Sequence, residues 1–145
     1  MAQVSTYLNF QGNTEEAFLF YKSVFGTEFE CGGIMRMGDV PASPDQPEMS
    51  EADEKLVMHV SLPIFAGHIL MGTDLPEWMG KLVQGNNISI NLQTDTRGEL
   101  DVLFAALSQG GNVEMKPQEM FWGDYFGSCT DRFGVRWMFD CGNKE

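Results

Sequence analysis

His59, one of two histidines in the chain, lies in a strand-like run between Val57 and Ser61, on the side away from Leu56, Met58, Val60 and Leu62. A neutral imidazole there can work as a general base near pH 7. The commoner role of such a residue is a hydrogen bond to a neighbouring strand, so His59 enters as a catalytic candidate only. His68 follows Gly67, where a turn would expose it. Ser89, Asn91 and Gln93 recur at every second position. Such a row of short polar groups can fix a small polar ligand if it faces a cavity, and faces solvent otherwise. Trp122 and Tyr125 offer rings to stack on a planar or cationic ligand; Phe121 and Phe126 serve equally well in packing against a helix. Arg136 is one of nine basic residues and can anchor a carboxylate or phosphate, or pair with one of the 21 acids. No Ser-His-Asp or Cys-His pairing follows from chain order, and the two histidines and scattered acids lack metal-ligand spacing.

These residues need elements to hold them. Residues 118–141 read as two strands, 122–130 and 135–141, broken at Asp131-Arg132-Phe133-Gly134. Alternation places Val135, Trp137 and Phe139 on one face and Arg136, Met138 and Asp140 on the other. Upstream, residues 4–10 read as a strand. Asn13 with Glu16 reads as a capping box opening a helix, on which Ala17, Phe18, Tyr21, Val24 and Phe25 recur at helical spacing and which Gly26 ends. Residues 27–37 read as a strand bent at Gly32-Gly33, and 55–63 and 66–73 as two more. Between them, residues 38–54 carry Pro41, Pro44 and Pro47 among acids, and read as a long loop, a solvated insertion more readily than a lid. After a connector at 75–85 the order restarts. A strand at 87–95 puts Ile88, Ile90 and Leu92 opposite the polar row. A helix is capped by Thr96 and Glu99 with Leu100, Leu103, Phe104 and Leu107 as its apolar stripe, and strands follow at 112–120, 122–130 and 135–141. The organisation is β-α-β-β-β twice over, an α+β domain of residues 1–145 with module one at about 1–74 and module two at about 86–142.

Composition limits the function. A net charge of −12 sets up a field that phosphate backbones and anionic membrane surfaces avoid, so neither nucleic acid nor membrane is an expected partner. A neutral or cationic small molecule is compatible with it. Three cysteines (Cys31, Cys129 and Cys141) with no C-x-x-C spacing argue against a disulfide framework and a zinc knuckle. The opening MAQVSTYLNF has neither basic nor apolar leader character, and no apolar run reaches the ~20 residues of a membrane helix, so a cytoplasmic setting is the expectation.

The segments YLNFQGNTEEAFLFYKSVFG, GNNISINLQTD and FWGDYFGSCTDRFGVRWM, in this order, resemble the PhnB-like group of the vicinal oxygen chelate superfamily, the glyoxalase/bleomycin-resistance fold. The resemblance implies paired βαβββ modules whose curved mixed sheets surround a cavity, usually in a homodimer. Metal-dependent relatives carry His, Gln or Glu on the first and last strands of each module. Laid on this chain, the pattern puts Thr6 at the first position, Ser89 at its match in module two, Met138 at the last-strand acid, and Gly72 or a neighbour at the fourth. Thr, Ser and Met are poor ligands for divalent ions of this fold. The expectation is a protein without metal or cofactor that binds a small organic molecule through Thr6, Ser89, Asn91, Trp122, Tyr125, Arg136 and Met138. The alternative is a lyase, isomerase or dioxygenase of the same superfamily that uses non-standard metal ligands, or His59 as a base. Proteins of this group also carry a label as ubiquinone-pathway methyltransferases; the chain shows no Gly-rich strand-to-helix turn followed by an acid, as doubly wound nucleotide sites use.

Overall fold

The computed structural model describes residues 2–41, 43–45 and 48–142, which fall into two compact units, Met1–Val83 and Gln84–Glu145. The first unit contains β1 (Thr6–Phe10), α1 (Thr14–Phe25), β2 (Met35–Arg36), α2 (Glu51–Glu54), β3 (Val57–Pro63) and β4 (Ile69–Asp74). The second contains β5 (Ile90–Gln93), α3 (Arg97–Ser108), β6 (Asn112–Glu119), β7 (Tyr125–Thr130) and β8 (Arg136–Cys141). Each unit builds a four-stranded mixed sheet of the same order, β1-β4-β3-β2 and β5-β8-β7-β6. The first strand runs parallel to the last, and the remaining pairs are antiparallel. The repeated β-α-β-β-β order of the sequence is thus present in both units, with the short α2 inserted between β2 and β3 of the first.

One face of each sheet is covered by its helix. Ala17, Phe18 and Tyr21 of α1 are buried, as are Val60, Leu62 and Leu70 of the sheet. A Cβ at Gly72 would collide with the Phe18 ring, which fixes the α1 side of the sheet as that of Gly72 and, by alternation, of Leu70 and Asp74. In the second unit Leu100, Leu103, Phe104 and Leu107 form the buried stripe expected of α3. Phe104 meets Phe139 edge-on at 5.3 Å between ring centroids, with Trp137 buried two residues along the same strand.

The helix starts differ. Thr96 accepts the Glu99 N–H at 3.1 Å, as expected, and Glu99 Oε1 reaches back to the Asp95 N–H. The box expected at Asn13 and Glu16 does not form, for the Asn13 side chain makes no cap bond. Asp74, buried at the end of β4, does the capping: its Oδ1 accepts from the Gly12 and Thr14 N–H groups and, at 2.6 Å, from the Thr14 hydroxyl. Its Oδ2 accepts the Val57 N–H, so one carboxylate fastens α1 to β3. Gly26 closes α1 in the left-handed region as read, its N–H donating to the Lys22 carbonyl.

Two strand readings are corrected. Of residues 27–37 only Met35–Arg36 pairs, because Cys31, Gly32 and Gly33 are successive residues at positive φ, which no extended strand accommodates. In β3 the inside-outside alternation fails: Val57 and Val60 are both buried, and Met58 is exposed. The β2–β3 register shifts there, between Met35↔His59 and Arg36↔Val57. Such an irregularity turns Val57 to the covered side. The long loop reading of 38–54 also gives way in part, since Ser50 caps the short helix α2 by accepting the Asp53 N–H. Its remainder includes Ala42, Gln46 and Pro47, which lie outside the described residues.

Candidate functional site

The face of each sheet away from its helix is where the expected ligand residues would gather, and the two hairpin turns give a common reference. Ile64 N–H donates to the His68 carbonyl, and Asp131 N–H to that of Val135. Matching these turns aligns Leu70 with Trp137, Met71 with Met138 and Gly72 with Phe139. Through the parallel pairs Thr6↔Leu70 and Ile90↔Trp137, it also aligns Tyr7 with Asn91.

In the second unit the open face carries Asn91 and Gln93 from β5, Ser128 from β7, and Arg136, Met138 and Asp140 from β8. Asn91 pairs with Met138, and Met138 with Ser128 on its other side. Three of the expected ligand residues, Asn91, Arg136 and Met138, therefore share one surface. Arg136 is half-buried, and its Nε is fully buried with no hydrogen-bond partner among the described residues. At the far end of β8, Asp140 sits beside Asp124. Its carboxyl is pushed above the ordinary range by burial, and further by the charge of Asp124 and a hydrogen bond to it. Ser89 immediately precedes β5 and is half-buried.

Trp122 is at the tip of the β6–β7 hairpin, half exposed, and meets Phe121 edge-on at 4.8 Å. Tyr125 is a correction: it lies on the α3 side, where its hydroxyl donates to Asp101 Oδ1 at 2.8 Å and the Arg97 guanidinium covers its ring at 4.8 Å. The bond to Asp101 holds its phenol above the usual range, with burial adding to the effect. It shares its phase along β7 with Gly127 and Cys129, the small buried residues of that strand. Burial likewise pushes the Cys129 thiol up to about 12, so it behaves as a small hydrophobe.

Thr6 is the second correction. Paired with Leu70, it lies on the α1 side, and its hydroxyl bonds His68 Nε2 at 2.8 Å. His68 is consequently half-buried rather than exposed at the turn. The open face of this unit bears Ser5, Tyr7, Asn9, Met71 and Thr73, so the alternation places Ser5, not Thr6, at the counterpart of Ser89. His59 belongs to this face: its Nδ1 is 3.1 Å from the Tyr7 hydroxyl, with the rings tilted at 5.7 Å. Burial raises the Tyr7 phenol above its ordinary value. Sequence reading missed Tyr7; Phe10, the most apolar residue of the strand, marks the covered phase and so leaves Tyr7 and Asn9 on the other.

The donor set does not fit the divalent metal that metal-dependent proteins of the resembled group hold. Gly72 faces α1, Met138 offers a thioether, and Thr6 is on the covered side bonded to His68. Among the described residues no group of three or more His, Cys, Asp or Glu is placed to hold an ion.

A family model described as 3-demethylubiquinone-9 3-methyltransferase matches residues 2–139. The chain belongs to this family. It is 28% identical over 142 residues to Protein YjdN of Escherichia coli, spanning 94% of this chain and 93% of that protein. Among solved structures, PA1353 from Pseudomonas aeruginosa superposes with a TM-score of 0.80 at 34% identity, covering 97% of this chain and 98% of its own. A PhnB protein from Bacillus cereus, described as a putative 3-demethylubiquinone-9 3-methyltransferase, gives 0.74 at 25% identity over 97% and 99%. A glyoxalase/bleomycin resistance protein/dioxygenase family enzyme from Burkholderia phytofirmans, at 16% identity and a TM-score of 0.60, shares the fold, with 95% of this chain and 98% of that one covered. The protein is thus a PhnB-like member of that family, with the fold of glyoxalase/bleomycin-resistance proteins. No helix among the described residues is long and apolar enough to cross a membrane.

Proposed function

We propose that this protein binds a small organic molecule on the open face of its second sheet without a metal ion, and works as a cytoplasmic homodimer. The observation that carries the reading is Arg136. A half-buried guanidinium that forms no hydrogen bond at Nε among the described residues keeps its charge uncompensated on the open face, and a carboxylate or phosphonate on the ligand would pair with its accessible end. Asn91 and Ser128 flank the same surface and would orient the ligand's polar atoms, Met138 gives it an apolar contact, and Trp122 offers a ring at the hairpin tip. The metal-free part rests on the chemistry of the donor set, and the dimer on the open edges that each short mixed sheet leaves.

The test is thermal shift and NMR titration with phenylphosphonate and benzoate, and with benzamide as the uncharged control. Saturable binding of the anions that Arg136→Gln abolishes, and that Asn91→Ala weakens by ~1–3 kcal/mol, is the expected result. Equal response to benzamide, or anion binding that survives Arg136→Gln, overturns it. Activity that tracks stoichiometric zinc, nickel, iron or manganese would overturn the metal-free part, and a 16.2 kDa monomer in sedimentation at micromolar concentration the dimer.

A second reading has one observation in its favour. The Tyr7–His59 contact orients an imidazole on an open face, the arrangement a general base needs. In that reading His59 abstracts a proton, and His59→Gln removes turnover while leaving binding at Arg136 intact.

A further inference from the structure

Apart from both open faces, the first unit contains a cleft of about 650 Å³ where the β1–α1 turn, α2 and the segment after β4 meet. That volume is in the range of sites for drug-sized molecules. Leu56, Leu75 and Pro76 supply its apolar wall, and Trp78 stands at its edge, 74% exposed. Its two ionisable residues are both acids, Asp53 and Glu77, and neither carboxylate enters an ion pair or a hydrogen bond among the described residues.

The walls are loops, but they are fastened from behind. The Gln11 side chain donates to the Leu75 and Gly80 carbonyls and accepts the Leu82 N–H, tying the segment after β4 to the end of β1. Asp74 holds Gly12 and Val57 in the same way. Trp78 therefore remains exposed on a tethered segment, with an uncommitted π face beside two uncommitted negative charges. That combination is the recognition chemistry of an organic ammonium: the indole face attracts the cation by its quadrupole, the carboxylates attract it by charge, and the apolar wall accepts its carbon skeleton. The net charge of −12 adds a long-range field of the same sign.

We propose that this cleft is a binding site for a small organic cation, an amine or quaternary ammonium carrying an apolar group, independent of the ligand on the second sheet.

Benzyltrimethylammonium is the probe, with benzamide as neutral and benzoate as anionic control, followed in the full chain by ¹H–¹⁵N NMR. The cation is expected to shift the Trp78 indole N–H and the Gly12 and Leu56 amides saturably, leaving the Asn91 and Arg136 signals in place. Trp78→Ala should weaken it about 2- to 30-fold. The double variant Asp53→Asn, Glu77→Gln should weaken it by a similar factor and flatten its salt dependence. Trp78 and Glu77 are exposed, Asp53 is half-buried, and none of the three side chains is hydrogen-bonded among the described residues, so an unchanged Tm and an unchanged first-unit spectrum confirm that the variants fold. Equal shifts from benzamide, affinity unaltered in the double variant, or no saturable shift by about 10 mM cation overturns the proposal.

Discussion

Where Gly72 of the first sheet leaves an open space, Phe18 of α1 lowers its ring onto the strand; at the matching position of the second sheet Phe139 fills the space itself and meets Phe104 edge-on. Two units with the same strand order thus reach a close-packed core by opposite means, a large residue on the helix over a glycine in one, and aromatic against aromatic in the other. Their buried carboxylates diverge too. Asp74 ties a helix start to a neighbouring strand. Asp131 ties a hairpin turn to its own strand, accepting from the Phe133 and Val135 N–H groups and, at 2.8 Å, from the Trp137 indole. The shared topology is the part that tolerates variation, while each unit depends on its own few contacts.

The sharpest way to break this comparison is at the facing aromatic and glycine. Phe139→Ala should cost ~3–5 kcal/mol in urea unfolding, because a buried ring is lost and a cavity remains. Gly72→Val should cost ~1–3 kcal/mol by overpacking against Phe18, and Phe18→Leu in the same chain should recover part of it. If Phe18→Leu recovers nothing, the close approach is not what requires glycine at 72.

The carboxylates come next. Asp74→Ala and Asp131→Ala should each cost ~3 kcal/mol, since each orphans buried donors. Hydrogen exchange separates them: the first variant should speed exchange at Thr14 and Val57, the second at Phe133, Val135 and the Trp137 indole. Faster exchange at both sets in both variants would show that the fastenings are not local.

The helix starts give a smaller contrast. Thr96→Ala should cost ~1 kcal/mol, as an N-cap does. Asn13→Ala should be close to neutral, because Asp74 already caps α1.

The smallest effect is expected at Asp140. Its carboxyl titrates higher in the folded chain than in the unfolded one, so the folded state holds the proton more tightly and stability falls as pH rises through that window. Asp140→Asn should therefore be slightly stabilising at pH 7, with the gain vanishing below the usual aspartate range. Destabilisation at pH 7 would mean that the charged form of Asp140 has a partner.

The sequence by itself determined the doubled β-α-β-β-β order, the helices α1 and α3 with the stripe of α3, the Thr96 cap and the glycine stop at Gly26. It also placed Asn91, Arg136 and Met138 on one face. These follow from local chemistry and from periodicity within an unbroken element, which the chain carries in its letters. The tertiary structure alone decided which face of the first strand is covered, and so moved Thr6 under α1 and brought Tyr7 to His59. Alternation gives a period but no absolute phase, and the β3 irregularity and the positive-φ run at Cys31–Gly33 break even the period. It alone revealed Asp74 and Asp131 as structural residues, because a buried carboxylate and a solvated one are the same letter until its donors, distant along the chain for Asp74, are brought to it. Tyr125 is decided in the same way: its hydroxyl has a partner only because α3 delivers Asp101 to it.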